Sequence, residues 1–312
     1  MRGRRRFLKT VTALGAASLA GTAGAAARAY DPTARLPIRI TEVPFRRNSA
    51  GRQLMARIYQ PEGEGPFPVL LDLHGGAWSR KDRLANEPMD RAIAAGGMLV
   101  VAIDLTLSGE APYPANVLDA SYGIRWLKWK AREWKGEPST LGVLGSSSGG
   151  HVSLLLALRP RDARYNSIPL TEAPALDTTF GYLATRAPVS DPYARFLVSQ
   201  KASKDDLVKA SQAYFSPFEN IHEGNPQEIL DRREKVSTPP LLIMHGGADD
   251  HVLPANQKKF ADAYRAAGGD VQFMLFDGAE HEWVAKPGPQ TDRAHEVAKA
   301  FISRQLKAAR NA

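Results

Sequence analysis

Residues 141–158 read LGVLGSSSGGHVSLLLAL, and their reading decides the fold class. Leu141–Leu144 is short, apolar and free of charge, as a buried strand is. From Gly149 to Leu158 the chain is long enough for a buried helix and largely apolar. Between them lies Gly145-Ser146-Ser147-Ser148-Gly149, a Gly-x-Ser-x-Gly pattern at a strand-to-helix junction. Such a turn projects one hydroxyl above a sheet, and small residues flank it because neighbouring backbone passes too close for a β-carbon. The glycine register selects the serine. Ser147 has glycine at −2 and +2, whereas Ser146 would need glycines at Leu144 and Ser148, and Ser148 would need one at Ser146.

On either side of this junction, β-rich runs alternate with helical patterns. Strands are expected over Ile38–Phe45, Gln53–Tyr59, Val69–Leu73, Met98–Ile103, Leu141–Leu144, Phe180–Ala184, Leu241–Met244 and Val271–Phe276. Helices are expected over Ala115–Trp134, Gly149–Leu158, Ala255–Ala267 and Thr291–Ala309. From Val69 onward the strands are short and apolar on both faces, as in a parallel sheet covered on both sides. The alternation predicts an α/β fold with right-handed crossovers: a mostly parallel, doubly wound, eight-stranded sheet. One region breaks the rhythm, because between Arg159 and Thr238 a single strand is expected. Residues 190–236 read as helical and carry Phe196, Tyr214, Phe215 and Phe218. Such an excursion reads as a lid-like helical insertion over the carboxyl ends of the strands, the alternative being an extra pair of surface helices.

The 312 residues carry a formal charge of +8, but the excess is concentrated at the start. Residues 1–29 hold six basic side chains and no acid, and without them the charge falls to +2. A near-neutral remainder argues against a nucleic-acid partner. Arg4-Arg5-Arg6-Phe7-Leu8-Lys9 precedes the uncharged run Thr10–Ala27, and Ala27-Arg28-Ala29 is a small-x-small site whose cleavage would leave Tyr30 first. This is the layout of a secretory signal, and Arg-Arg-x-Phe-Leu-Lys resembles the twin-arginine export signal. The run is short and rich in Gly and Ala, so no stable membrane insertion is expected. The expectation is an exported protein, periplasmic or secreted, with residues 30–312 forming one large α/β domain. The absence of cysteine excludes disulfides, a thiol nucleophile, Cys-ligated zinc and iron–sulfur clusters. No cofactor motif follows, and no cofactor or metal is expected.

Three more loops carry chemistry-bearing residues. His74-Gly75-Gly76-Ala77-Trp78 follows the strand Val69–Leu73, where consecutive glycines let backbone N–H groups point into a crevice. Those donors, with the N–H of Ser148 after the nucleophile, could hold an oxyanion. His245-Gly246-Gly247-Ala248-Asp249-Asp250-His251-Val252 and Asp277-Gly278-Ala279-Glu280-His281 follow the last two expected strands. A serine hydroxyl needs a base, an imidazole can take and return its proton, and a carboxylate fixes the imidazole tautomer. Among seven histidines, His281 alone occupies the loop after the last strand, and His251 is its rival. Asp249 and Asp250 compete for the acid, with Asp191 a third candidate.

Ser147, Asp249 and His281 in that chain order, each after a strand, resemble the α/β-hydrolase superfamily over nearly all of residues 30–312. His74–Trp78, Gly145–His151, Val100–Asp104, Ala111–Ala115 and Asp119 are similar to its esterase branch, which includes feruloyl and acetyl-xylan esterase-like and hormone-sensitive-lipase-like proteins. The chain departs from many of these at Asp104-Leu105-Thr106-Leu107, where they carry Asp-Tyr-Arg-Leu. His-Gly-x-x-Asp-x-x-Val is shared with those esterases and with prolyl-oligopeptidase-type peptidases, and the resemblance favours its first Asp, Asp249. It also implies oxyanion donors at Gly76, Ala77 and Ser148. The expected activity is hydrolysis of a small-molecule carboxylic ester through an acyl-enzyme. A serine peptidase or an amide or formamide hydrolase would use the same machinery, and a non-catalytic binding protein is the more distant alternative. Trp78, Tyr214, Phe215 and Trp283 are candidate walls of the substrate pocket, or else core between insertion and sheet.

Overall fold

Residues 28–311 are described by a computed structural model. Their β-rich runs pair into one eight-stranded sheet: β1 (Ile38–Arg47), β2 (Gln53–Pro61), β3 (Phe67–Leu73), β4 (Leu99–Ile103), β5 (Gly136–Ser146), β6 (Leu183–Arg186), β7 (Leu241–Gly246) and β8 (Val271–Phe276). The order across the sheet is β1-β2-β4-β3-β5-β6-β7-β8. β2 runs antiparallel to both β1 and β4, and every pair from β4 to β8 is parallel. The expected fold class holds. Between the strands lie α1 (Glu87–Ala94), α2 (Ala115–Lys130), α3 (Ser148–Leu158), α4 (Pro192–Lys201), α5 (Asp205–Tyr214), α6 (Asn220–Glu223), α7 (Pro226–Asp231), α8 (Pro254–Ala266) and α9 (Pro289–Asn311).

Strand alternation sorts the apolar side chains onto two faces. Val69, Leu71 and Leu73 of β3 pack with Val117, Ile124 and Leu127 of α2 and Leu155 of α3. Leu70 faces the other way, into a cluster with Ile93 of α1 and Phe301 and Ile302 of α9. Each such side chain, fully buried, contributes about 1.5–3 kcal/mol. This two-sided burial is why the central strands read as continuous apolar runs rather than alternating ones.

Differences from the sequence reading have local causes. β6 occupies Leu183–Arg186 rather than Phe180–Ala184, because its ladder starts where Leu183 meets Val143 and Leu241. β5 begins at Gly136, where it pairs with Phe67 before the register shifts between Pro68 and Leu70. Its polar Glu137 and Ser139 hid that first half. α1 had no expected counterpart; it is eight residues long, with Pro88 and two acidic residues opening it. At Asp104-Leu105-Thr106-Leu107 the backbone is held by carboxylates. Asp104 accepts from the Met55 and Arg83 amides at 3.0 and 3.2 Å, and Asp119 accepts from the Thr106 amide at 2.6 Å.

The chain leaves β3 for β4 on one side and returns to β5 on the other. This reversal opens a crevice at the carboxyl ends of β3 and β5, where Leu73 lies opposite Gly145. The helical insertion α4–α7 packs over that end: the Tyr113 amide donates to the Tyr214 carbonyl at 2.7 Å, and Tyr214 stacks on Trp78. No helix among the described residues is long and apolar enough to cross a membrane.

Beneath the crevice, two carboxyls share the interior without a directly bonded cation. Asp72 accepts from Asn86 Nδ2 at 2.9 and 3.1 Å, and burial pushes it up to about 7 despite Asn86 and Arg186. Asp90 has no hydrogen-bond partner on either oxygen, and burial and then the neighbouring Asp72 charge raise it well above its ordinary value. A carboxyl that stays protonated when folded but ionises when unfolded costs stability as pH rises above 3.8 and until it ionises in the fold. Asp90→Asn removes that cost. Thermal unfolding should therefore show a gain in Tm at pH 8 that exceeds the change at pH 5, on the order of 5 °C; a pH-independent difference would contradict it.

Candidate active site

β5 ends at Ser146 and α3 begins at Ser148, so Ser147 is the whole turn between them. Its φ of 50° and ψ of −115° are strained for a residue with a β-carbon. Neighbouring strand ends hold it there. Its amide donates to the Arg186 carbonyl at 2.8 Å, and its carbonyl accepts from His151 and Val189 at 3.0 and 3.1 Å. A β-carbon on Gly149 would lie 2.1 Å from the Leu73 carbonyl oxygen, so α3 starts directly against the end of β3. One on Gly75 would stand 3.0 Å from the Ser147 β-carbon. These two glycines let the loop after β3 press against the serine. Ser146 and Ser148 are each 2% exposed, and Ser147 alone of the three is half-buried.

The loops after β7 and β8 complete the arrangement. Ser147 Oγ lies 2.9 Å from His281 Nε2, and His281 Nδ1 lies 2.7 Å from Asp249 Oδ2. An ionised Asp249 accepts the Nδ1 proton, which leaves Nε2 as the acceptor for the serine hydroxyl. Asp249 Oδ1 accepts from the His251 and Val252 amides, each at 2.9 Å. Burial works to raise this carboxyl, but the His281 hydrogen bond, the His281 and His245 charges and the Val252 amide hold it below its ordinary value. His245 Nε2 donates to the Val252 carbonyl at 2.9 Å, closing the same loop. Arg186 Nη1 donates to the His281 carbonyl at 3.2 Å from below.

The rivals stand elsewhere. The Asp250 side chain is 75% exposed and pairs with Lys204 at 2.6 Å. Asp191 caps α4, accepting from the Ala194 amide and Asn225 Nδ2, each at 2.9 Å. The His251 ring lies 5.0 Å from that of His281, with Nε2 facing Asp250 at 3.7 Å. Among the described residues, no group of His, Asp and Glu is arranged to hold a metal.

Gly76, Ala77 and Trp78 all have positive φ, at 114°, 53° and 61°. The loop is pinned by the Ser79 and Arg80 amides, both donating to the Gly76 carbonyl at 3.1 Å. The Ser148 amide opens α3, where a helix leaves its first N–H groups without internal partners. Trp78, Tyr214 and Phe215 are 3%, 1% and 0% exposed and form one aromatic cluster with His151. His151 accepts from Trp78 Nε1 on Nδ1 at 3.2 Å and donates from Nε2 to the Gly224 carbonyl at 2.7 Å. Burial lowers it to about 4, so it stays neutral and ties α3, the β3 loop and the insertion together. Trp283 packs on the opposite face of the sheet, with Phe276 at 5.2 Å. The sequence reading left Arg186 and Arg195 without a role. Only an arginine inside an apolar string, as in Leu183-Ala184-Thr185-Arg186-Ala187, hinted at either.

A family model described as BD-FAE matches residues 57–264, which include Ser147 and Asp249. The Mycobacterium tuberculosis carboxylesterase NlhH is 28% identical over 259 residues, covering 82% of this chain and 73% of that protein. The carboxylic ester hydrolase LipN of the same organism is 34% identical over 247 residues, 73% of this chain and 60% of its own length. Among solved structures, esterase B from Lactobacillus rhamnosis superposes with a TM-score of 0.72 at 18% identity, covering 91% of each chain. EstE1, a carboxylesterase cloned from a metagenomic library, superposes with a TM-score of 0.71 at 22% identity, over 87% of this chain and 90% of that one.

Proposed function

The chain belongs to the BD-FAE family, on the serine-esterase branch of the α/β-hydrolases, and we propose that it hydrolyses carboxylic esters through Ser147, His281 and Asp249. The observation that carries this is the unbroken line of contacts from Ser147 Oγ through His281 to Asp249, at 2.9 and 2.7 Å. Ester chemistry is favoured over amide chemistry because relatives such as NlhH and LipN are named ester hydrolases.

Ser147 Oγ attacks the ester carbonyl as its proton passes to His281 Nε2. The carbonyl oxygen becomes an oxyanion held by the N–H groups of Gly76, Ala77 and Ser148. Positive φ at Gly76 and Ala77 sets those donors in advance, so little reorganisation accompanies the reaction. Collapse breaks the ester C–O bond, and His281 returns the proton to the departing alcohol. Water then attacks the acyl-enzyme, gives a proton to His281, and the acid leaves as Ser147 regains its hydrogen. Trp78 is the ring nearest this loop in sequence, and with Tyr214 and Phe215 it backs the oxyanion loop and keeps it rigid. The full chain should release nitrophenol from p-nitrophenyl acetate and butyrate. A fluorophosphonate should stop turnover by labelling Ser147, read by mass spectrometry. Turnover that survives complete labelling, or a label on another residue, would overturn the assignment.

Residues 1–29 act in this reading as a twin-arginine-type export signal, giving a periplasmic or secreted enzyme of residues 30–312. All of that signal except Arg28 and Ala29 lies outside the described residues. Arg28 and Ala29 are exposed whereas Tyr30 is buried, which suits a cleavable site beside a folded domain. Replacing Arg4 and Arg5 by lysine should strand a precursor in the cytoplasm. Normal export would point to the general secretory route.

A further inference from the structure

Three arginines of the described chain are deeply buried: Arg125, Arg186 and Arg195, at 6%, 7% and 3% exposure. Two have partners. Arg125 Nη2 donates to the Ile168 carbonyl at 2.8 Å, and Arg186 Nη1 to the His281 carbonyl at 3.2 Å. Arg195, on α4 of the insertion, has none: its Nε and Nη1 are buried without a hydrogen-bond partner. Ser199 Oγ, one helical turn further along the same face, is also buried and unpaired. The nearby acids are already engaged, Asp191 with Ala194 and Asn225, and Asp249 with His281, His251 and Val252. What Arg195 does touch is Trp78, whose ring centroid lies 5.1 Å from the guanidinium carbon. A ring face offsets only part of the desolvation of a guanidinium, so the fold leaves this cation without a bonded anion. Trp78 directly follows Ala77, which places that cation beside the oxyanion loop.

We propose that Arg195 binds a carboxylate on the substrate, so that the preferred substrates are esters of acidic molecules. This rests on Ser147 being the nucleophile. A single buried guanidinium balances one negative charge, which suits a carboxylate better than a phosphate dianion. Exposed Arg80, close enough to Arg195 for the two charges to repel, adds positive potential that favours approach of an anion.

The test compares kcat/KM of the full chain on matched pairs: 4-nitrophenyl hydrogen adipate against 4-nitrophenyl hexanoate for an acid on the acyl side, and 3-acetoxybenzoate against phenyl acetate for one on the alcohol side. The acidic ester should be preferred by about tenfold or more in one pair, and Arg195→Met should lower that ratio by about 10- to 100-fold. Arg195→Lys should keep part of it. Should the variants fail to fold, the wild type still decides. Adipate should then raise the KM for hexanoate ester, less so at high salt, whereas hexane-1,6-diol should not. Neutral esters turned over by a labelled Ser147 with no acid preference in either pair would overturn the subsite and leave the esterase standing. Equal losses on both members of a pair in Arg195→Met would also overturn it. No turnover of any ester and no label at Ser147 would bring down the esterase reading, and the subsite with it.

Discussion

Ser147→Ala is expected to lower kcat for p-nitrophenyl butyrate on the order of 10⁶-fold, while Ser146→Ala and Ser148→Ala keep most of the activity. The three hydroxyls sit on consecutive residues, so the contrast tests the turn rather than the composition. Only Ser147 stands in the strained turn, and only its Oγ reaches His281 Nε2, at 2.9 Å. Ser148 enters the reaction through its backbone N–H, which alanine retains. Ser146 is buried beside Leu144 and Arg186, under the turn rather than above it. A dead Ser148→Ala beside an active Ser147→Ala would show that the glycine register had selected the wrong serine. Residual turnover in Ser147→Ala from the oxyanion donors alone stays within about 10³- to 10⁴-fold of the uncatalysed reaction.

Much of this was legible beforehand because the constraints on it are local. Gly149 is required where α3 starts against the end of β3, since a β-carbon there would lie 2.1 Å from the Leu73 carbonyl oxygen, and that requirement writes itself into the sequence as Gly-x-Ser-x-Gly. The parallel strands β3, β4 and β7 are buried on both faces, so they appear as short apolar runs. β6 starts three residues later than expected and ends two later because its limits are set by partners distant in the chain, Val143 and Leu241, rather than by its own residues. Asp249 could not be separated from Asp250 by residue type. Their difference is one of position: one is 2% exposed under His281, the other points outward to Lys204.

The aromatic residues show the same limit from the other side. Trp78, Tyr214 and Phe215 are 136 residues apart in sequence at their Trp78–Tyr214 contact, and nothing local foretells that their rings stack at 4.5 Å. Arg195 is harder still. Arg195 lies between Ala194 and Phe196 on the insertion helix Pro192–Lys201, and only the fold of the insertion turns it inward against Trp78. Long-range packing thus decides which polar groups are buried, and buried polar groups without partners are where specificity can be sought.

Asp249→Asn should reduce kcat by about 10⁴-fold, with Asp250→Asn changing it by less than about twofold. The asymmetry follows from the proton on His281. With a carboxylate at 2.7 Å, Nδ1 carries the proton and Nε2 faces Ser147 as an acceptor. The Oδ1 atom of Asp249 already accepts from the His251 and Val252 amides, so an asparagine there would keep its carbonyl oxygen on those amides. Its NH₂ group would then point at Nδ1 and force the proton to Nε2, leaving no base for the serine. The arrangement would look intact and be inert. Asp250 is exposed and bonded to Lys204, and its loss removes only a surface ion pair. Thermal unfolding measured beside the kinetics separates this tautomer effect from loss of fold, since Asp249 also braces its own loop. Equal losses in the two variants, with both proteins folded, would remove the assignment of the acid and leave His281 without a partner that sets its proton.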